Sequence, residues 1–252
     1  MTQPDPQPLA GHTVLITGGA RRLGAAMAQA LHAVGANVVI HHRTSTEEAG
    51  ALLRTLNARR AHSATAVQAD LLDITQLPGL VKAAVRDFGR LDILVNNAST
   101  FYATPMGELT AEKFEDLIGT NFRAPLFLSQ AAAPELRRRC GLILNMVDIH
   151  GMRPLKQHPA YSSAKAALVM LTRSLARELA PQVRVNGIAP GPVLFPADID
   201  PALQAQIIEK TPLKRSGDSQ DIAQAAVYFA TMAPFVTGQI LAVDGGRSQG
   251  GG

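Results

Sequence analysis

Short apolar runs alternate along the chain with longer segments in which apolar residues recur at helical spacing. The short runs are typical of strands buried on both faces, and the longer segments predict amphipathic helices. Because the two alternate along the chain, the pattern predicts an α/β fold: a doubly wound parallel sheet of about seven strands with helices on both faces. The predicted strands are Thr13–Ile16, Val38–Ile40, Ala64–Gln68, Leu91–Val95, Leu142–Val147 and Val183–Ala189. The predicted helices are Ala25–Val34, Glu47–Arg59, Leu77–Phe88, Ala111–Ala132, Pro159–Leu179, Pro201–Glu209 and a last one that Asp218 caps and that ends at Met232.

The length of the chain predicts its domain organisation. A chain of 252 residues is long enough for one such domain and too short for two ordinary domains with a linker. We therefore expect a single domain over 1–252, with flexible ends at 1–10 and 248–252. The segment 192–216 combines several prolines with polar residues, and we expect it to form a mobile loop over a substrate.

Charge and cysteine content exclude several classes of protein. The net charge is +4, but the basic residues are scattered, and the one run of three, 137–139, suits the C-terminal end of a helix, so we expect no nucleic-acid partner. No apolar run approaches the roughly 20 residues that span a bilayer, and the first residues do not form a signal peptide, so a cytoplasmic protein without a membrane partner is expected. The single cysteine, Cys140, excludes an intrachain disulfide and is expected in the core. The seven dispersed His predict no metal site.

A glycine-containing turn, Thr17–Gly24, follows the first predicted strand and precedes a helix. Such a turn brings backbone N–H groups and the positive end of a helix dipole against a phosphate. The sequence therefore predicts a dinucleotide cradle here. A tight strand-to-helix connection without a ligand is the alternative.

The end of the second predicted strand bears on the choice of cofactor. A protein that binds NAD places an acidic residue here to accept from the ribose 2′-OH, and this chain has none. His42, Arg43, Thr44 and Ser45 instead supply a cation and hydroxyl groups, which suit a 2′-phosphate. We expect NADPH, with a solvated basic loop as the alternative.

An acid, a phenol and an amine meet where the fifth predicted strand leads into a long helix. Asp148 follows the strand, and Tyr161 and Lys165 share one helix face at i and i+4. A cation beside a phenol favours the phenolate, so the pKa of Tyr161 is expected to lie below its ordinary value. The spacing of Tyr161 and Lys165 could also arise by chance.

These motifs together resemble the short-chain dehydrogenase/reductase family. The turn resembles the family pattern T-G-x-x-x-G-x-G, with Arg22 in place of the middle glycine. Asn96-Asn97-Ala98-Ser99, followed by Phe101, narrows the resemblance to pteridine reductases, as does Asp148, since most members of the family carry Ser there. The resemblance covers nearly the whole chain, from Val14 to Ser248.

The resemblance implies a single-domain Rossmann fold whose last strand is Gln239–Gly246, a homotetramer and a role for each site residue. Asn121 would help to hold a water near Lys165, while Phe101 would stack on a pterin and Ser99 would hydrogen-bond it. The implied catalytic residues are Asp148, Tyr161, Lys165 and Asn121. The implied cofactor-binding residues are Thr17, Gly18, Arg22, Leu23, His42, Arg43, Thr44, Asp70, Leu71, Asn97, Ala98, Lys165, Pro190 and Gly191. The implied substrate-binding residues are Arg22, Ser99, Phe101, Asp148 and Tyr161.

The carboxyl group at 148 bears on the substrate class. A Ser hydroxyl can donate to a carbonyl oxygen, whereas a carboxylate cannot donate unless it is protonated. It suits a nitrogen-rich ring, in which hydride adds to a carbon and Tyr161 protonates the adjacent nitrogen. We expect NADPH-dependent reduction of pterins, dihydropterins or dihydrofolate to tetrahydro forms. Two alternatives stay open: a carbonyl or 3-oxoacyl reductase that uses NADPH, and a dinucleotide-binding redox sensor without turnover.

Overall fold

One parallel sheet of seven strands organises the computed structural model, which describes residues 7–195 and 199–249. The strand order is β3-β2-β1-β4-β5-β6-β7, and every neighbouring pair is parallel. The chain winds outward from β1 in one direction and from β4 in the other, which is the arrangement of a Rossmann-like α/β fold and confirms the predicted fold class. The strands are β1 Thr13–Ile16, β2 Asn37–His42, β3 Ala64–Gln68, β4 Ile93–Asn96, β5 Leu142–Met146, β6 Arg184–Pro190 and β7 Ile240–Val243.

Helices connect the strands and cover both faces of the sheet. The α-helices are α1 Arg22–Ala33, α2 Thr46–Arg59, α3 Leu77–Phe88, α4 Ala111–Ile118, α5 Ala124–Arg139, α6 Pro159–Glu178, α7 Pro201–Glu209 and α8 Ser219–Thr231. Alternate residues of β1 point to opposite sides: Val14 and Ile16 pack in one apolar cluster with α1 and α8, and Leu15 packs in the other with α3 and α5. Burial on both faces explains why the central strands β1, β4 and β5 are apolar at nearly every position rather than alternating. Within the described residues, no helix is long and apolar enough to cross a membrane.

The helix predicted over Ala111–Ala132 is interrupted in the structure, and its second part extends beyond Ala132. After α4 comes one turn of π-helix, Gly119–Arg123, and α5 then continues to Arg139. Pro125 has no N–H to donate to the carbonyl four residues earlier, which accounts for the local widening at this point. The helix continues past Pro134 because Leu136, beyond it, is fully buried in the core. The basic run 137–139 occupies the last turn of α5, as predicted.

Further differences concern the ends of elements. Strand β2 extends two residues beyond the prediction, and His41 and His42 pair with Val67 and Gln68 of β3. Leu9 belongs to the expected flexible terminus, yet it is buried in the core and its N–H donates to Val34 O at 3.0 Å. Cys140 is exposed rather than in the core, because it ends α5 in a left-handed conformation. Of the predicted flexible ends and substrate loop, 1–6, 196–198 and 250–252 lie outside the described residues.

Candidate active site

The register of the central strands gathers the predicted site at one edge of the sheet. Ile16 pairs with Val95, and Asn96 pairs with Asn145, so β1, β4 and β5 end side by side. The loops that follow these strands therefore meet at the carboxyl edge, where open α/β sheets bind ligands. Asp148 lies just beyond β5 at this edge.

A cavity of about 350 Å³ opens at the point where the strand order reverses. Most of the predicted cofactor residues line it. These are Gly18, Arg22, Leu23, His42, Arg43, Thr44, Asp70, Leu71, Asn97 and Ala98. The glycine turn is tightly packed: a Cβ on Gly24 would lie 2.2 Å from Gly18 O, and Gly18 itself has a left-handed φ of +59°. Only glycine fits both positions, and this lets α1 begin directly against the cavity.

The remaining predicted cofactor residues lie outside the lining of this cavity. Thr17 is buried, and its Oγ1 accepts from the N–H groups of Asn97 and Ala98 at 2.9 and 3.0 Å, so it shapes the turn after β4. Gly191 packs against Asp244, where a Cβ would lie 2.5 Å from the Asp244 Cβ, and the neighbouring Pro190 ends β6. Lys165, which is also buried, lies beside Asp148 and Tyr161, and we call these three residues the acid–base group.

The cavity fits a phosphorylated dinucleotide in two respects. Helix α1 begins at its rim with no side-chain cap and no acidic residue in its first turn, so its free N–H groups and dipole favour an anion. The Nδ1 atom of His42 is buried at the wall and has no hydrogen-bond partner among the described residues. A buried ring nitrogen of this kind can be satisfied by a ligand. Arg22 spans the rim, and its Nη2 donates to Leu194 O at 3.1 Å.

Asp148 and Tyr161 form a direct pair. The Tyr161 hydroxyl donates to Asp148 Oδ2 at 2.7 Å, while Asp148 Oδ1 accepts from the His150 N–H at 2.8 Å and caps a short 3-10 helix, Ile149–Gly151. Burial of the phenol, together with the charge of Asp148 and the hydrogen bond to it, raises the pKa of Tyr161 well above its ordinary value, and the nearby Ser99 hydroxyl opposes this. The lower pKa predicted from the spacing of Tyr161 and Lys165 is therefore wrong.

The position of Lys165 explains why its charge does not lower the pKa of Tyr161. Its Nζ lies 5.7 Å from the centre of the Tyr161 ring and donates to Met146 O at 2.9 Å, so the ammonium serves a backbone carbonyl of β5. Burial lowers the pKa of Lys165 to about 8, and the nearby charge of Asp148 opposes that shift. The carboxylate, which is in direct contact, therefore influences the phenol more than the cation does.

Asn121 lies in the π-helical turn and is almost fully buried. Its Nδ2 donates to Thr100 O at 2.9 Å and to Leu117 O at 3.0 Å, and its Oδ1 accepts from Ser99 Oγ at 2.6 Å. The π-turn thus brings Asn121 to the loop that carries Ser99. The fourth predicted catalytic side chain is joined to the acid–base group through this hydroxyl.

Phe101 stands over the site as part of an aromatic cluster. Its ring stacks on His158 at 4.8 Å between centroids and 10° between planes, and it meets the edge of Tyr161 at 4.8 Å and 77°. Phe101 remains 53% exposed, so it is open to a flat ligand. Sequence reasoning missed His158, whose one signal was its position three residues before Tyr161.

His41 was also missed, although it lines the same cavity as most of the predicted cofactor residues. It directly precedes His42 at the end of an apolar run. The sequence does not show whether a histidine at this position is buried in the sheet or lies in a solvated loop. In the part of the chain that the structure describes, no group of three or more His, Cys, Asp or Glu side chains could hold a metal ion.

Comparisons with known proteins agree with this geometry. Residues 18–248 match a family described as enoyl-(acyl carrier protein) reductase. Pteridine reductase 1 of Leishmania tarentolae is 38% identical, covering 93% of this chain and 95% of that protein. The 3-oxoacyl-(acyl-carrier-protein) reductase of Staphylococcus aureus is 33% identical, covering 93% and 97%.

A solved structure gives the same result. The crystal structure of a blue fluorescent protein from a metagenomic library, in complex with NADPH, matches with a TM-score of 0.90 at 34% identity, covering 96% of this chain and 99% of that one. The sequence resemblance is thereby confirmed at the level of the family. The chain belongs to the short-chain dehydrogenase/reductase family of nicotinamide-dinucleotide oxidoreductases.

Proposed function

We propose that the protein reduces pterins or dihydropterins with NADPH, and that dihydrofolate is a further candidate substrate. The observation that carries this proposal is the 2.7 Å hydrogen bond from Tyr161 to Asp148. A carboxylate in this position accepts hydrogen bonds, and a pterin ring offers N–H groups that donate them. A simple ketone has no N–H group for Asp148 to bind.

The proposed roles follow from the contacts of each residue. Bound NADPH would supply the hydride, while Tyr161 gives the proton to the ring nitrogen next to the carbon that is reduced. Asp148 holds the phenol in place before the transfer and binds the substrate's N–H side. Phe101, with its exposed ring, is proposed to stack on the pterin. The Ser99 hydroxyl donates to Asn121 and lies near the Tyr161 hydroxyl, and it is proposed to hydrogen-bond the bound ring.

A carbonyl or 3-oxoacyl reductase is the second candidate, and Ser99 is the observation that favours it. If its hydroxyl turned away from Asn121 Oδ1, to which it donates at 2.6 Å, it could donate to a carbonyl oxygen in place of the Ser that most family members carry at 148. A sensor without turnover is less well supported, because Asp148, Tyr161, Lys165 and Asn121 are brought together with their hydrogen bonds intact.

A substrate panel separates these candidates. Oxidation of NADPH is followed by absorbance with biopterin, dihydrobiopterin, dihydrofolate, a 3-oxoacyl thioester and a simple ketone. Pterin turnover with a kcat/KM well above that of the carbonyl substrates supports the proposal. The reverse ranking refutes it, and NADPH binding without turnover of any substrate favours the sensor.

The proposed preference for NADPH depends on Arg43. Its exposed side chain borders the cavity beside Thr44 and Ser45. Removing one charge-assisted hydrogen bond to a 2′-phosphate is expected to raise the KM for NADPH about tenfold or more in Arg43→Ala, with little change for NADH. Arg54→Ala, which removes an exposed cation of α2 outside the cavity, is the matched control. Equal use of both cofactors by the wild type would contradict this part of the proposal.

The proposed assembly is a homotetramer. Large apolar side chains are exposed on α6, beside α8 and on β7: Met170 is 59% exposed, Met232 72% and Leu241 39%. Exposed apolar groups on neighbouring elements are typical of subunit contacts. Light scattering at micromolar protein is expected to give four times the chain mass of 26.7 kDa. A monomeric mass would refute the assembly without bearing on the reaction.

A further inference from the structure

His41 occupies an unusual position between two walls of the cofactor cavity. It is the fifth residue of β2, only 2% exposed, and its ring lies at the carboxyl edge of the sheet. One wall is the glycine turn after β1, and the other is formed by Asp70 and Leu71 of the turn that begins at Ala69. The residue contacts both turns.

Each ring nitrogen of His41 has one partner. The Gly18 N–H donates to Nδ1 at 3.1 Å, and Nε2 lies 3.1 Å from Ala69 O. Because Gly18 supplies the hydrogen of the first bond, Nδ1 must carry a lone pair, and the ring proton must be on Nε2, where it donates to Ala69 O. The two contacts therefore select one neutral tautomer.

The backbone of His41 strengthens the same connection. Its carbonyl accepts from the Gly19 N–H at 3.0 Å, so side chain and main chain hold consecutive residues of the glycine turn. Gly18 has a positive φ and would otherwise be free to adopt several conformations. With its N–H bound to His41, Gly18 is not available to a phosphate, and the free N–H groups at the start of α1 remain for that purpose.

We propose that His41 is a positioning residue of the dinucleotide site: its ring joins the glycine turn to the Ala69–Leu71 turn and fixes the distance between the two walls that enclose the cofactor. The inference rests on the proposed function only in taking this cavity to be the dinucleotide site. It requires no particular substrate. The proposed role of His41 is separate from proton transfer by the acid–base group.

The charge state of His41 agrees with this role. Burial lowers its pKa to about 4; the hydrogen bond to Ala69 and the charge of Asp70 oppose that shift, and His42 adds to it. At neutral pH the ring is uncharged, as the tautomer requires. A protonated ring would direct an N–H at the Gly18 N–H and break the contact.

Three substitutions separate the two bonds. His41→Asn leaves an acceptor near the Nδ1 position for Gly18 but cannot reach Ala69. His41→Gln places an amide near the Nε2 position for Ala69 and leaves Gly18 without its acceptor. His41→Phe keeps an aromatic ring and removes both bonds. The matched control is His32→Phe, since His32 is another buried histidine, 3% exposed and bound to Ser63, that does not line the cavity.

The readout is the Kd for NADPH, measured by the fluorescence of the bound nucleotide in a chain without Trp. His41→Phe is expected to raise the Kd and the KM for NADPH roughly tenfold or more, with kcat at saturating cofactor little changed and Asn or Gln giving partial losses. His32→Phe is expected to lower the melting temperature without that effect on Kd. An unchanged Kd in His41→Phe would overturn the inference, as would an equal rise of the Kd in His41→Phe and His32→Phe.

A second measurement tests the tautomer independently of activity. Nitrogen-15 NMR of the histidine rings in the wild-type protein is expected to show His41 protonated on Nε2 and unprotonated on Nδ1 at neutral pH, with its signal lost in His41→Phe. A proton on Nδ1 would overturn the inference. If the wild type binds NADPH but reduces no pterin, the proposed substrate class fails while the His41 measurements remain decisive.

Discussion

Replacing Tyr161 by Phe is expected to abolish turnover while leaving the affinity for NADPH nearly unchanged. The variant keeps the buried ring and its edge contact with Phe101 but removes the hydroxyl that donates to Asp148 at 2.7 Å. Without a proton donor, kcat should fall at least by the roughly 10²–10⁴-fold that is typical of a general acid. The measurements are steady-state kcat with the best pterin and the Kd for NADPH.

Tyr102→Phe is the matched control for Tyr161→Phe. The hydroxyl of Tyr102 donates to Asp116 Oδ2 at 2.9 Å, outside the acid–base group, so its loss should leave kcat near the wild-type value. Lys165→Ala should reduce both kcat and NADPH affinity, because it removes a buried cation beside Tyr161 and its bond to Met146 O. Turnover by Tyr161→Phe within a few fold of the wild-type rate would exclude this phenol as the acid.

The fold was predictable from local pattern because the sheet is buried on both faces. Leu142–Met146, for example, is apolar at nearly every position, and a strand between two helical layers requires that composition. The predictions failed where the chain breaks a regular pattern for a local reason. The π-turn at Gly119–Arg123 follows from a missing N–H at Pro125, and no periodicity in the sequence reports it.

Most residues of the candidate site were predictable from the sequence, but the contacts between them were less predictable. Asp148 and Tyr161 were identified, but the direction of the Tyr161 pKa depends on how far the phenol is buried and on which charge is nearest its oxygen. A distance of that kind is set by how β5 and α6 pack, not by spacing in the sequence. His41 was missed for the same reason: its partners, Gly18 and Ala69, are 23 and 28 residues away and meet it only through strand pairing.

Asp148→Asn is expected to reduce pterin turnover by roughly 10²–10⁴-fold at an unchanged melting temperature. Asp148 has two separable contacts: Oδ1 caps the 3-10 helix at His150, and Oδ2 accepts from Tyr161. The Asn carbonyl can keep the cap, while its amide would present N–H groups to the phenol in place of an acceptor. The variant therefore changes the chemistry and preserves the local structure. Circular dichroism melting and kcat with a pterin substrate measure the two effects separately.

Two further substitutions show which contact matters. Asp148→Ala removes both, so it should lose activity and, through the lost cap, about 1 kcal/mol of stability. Asp148→Ser restores the residue type of most family members and should cost pterin reduction heavily. Asp218→Asn, a change of the same kind at the cap of α8, is the control and should leave both quantities unchanged, since Asn and Asp cap helices about equally well. If Asp148→Asn retains the full pterin rate at the wild-type melting temperature, Asp148 acts only as a cap, and its carboxyl group does not select the substrate.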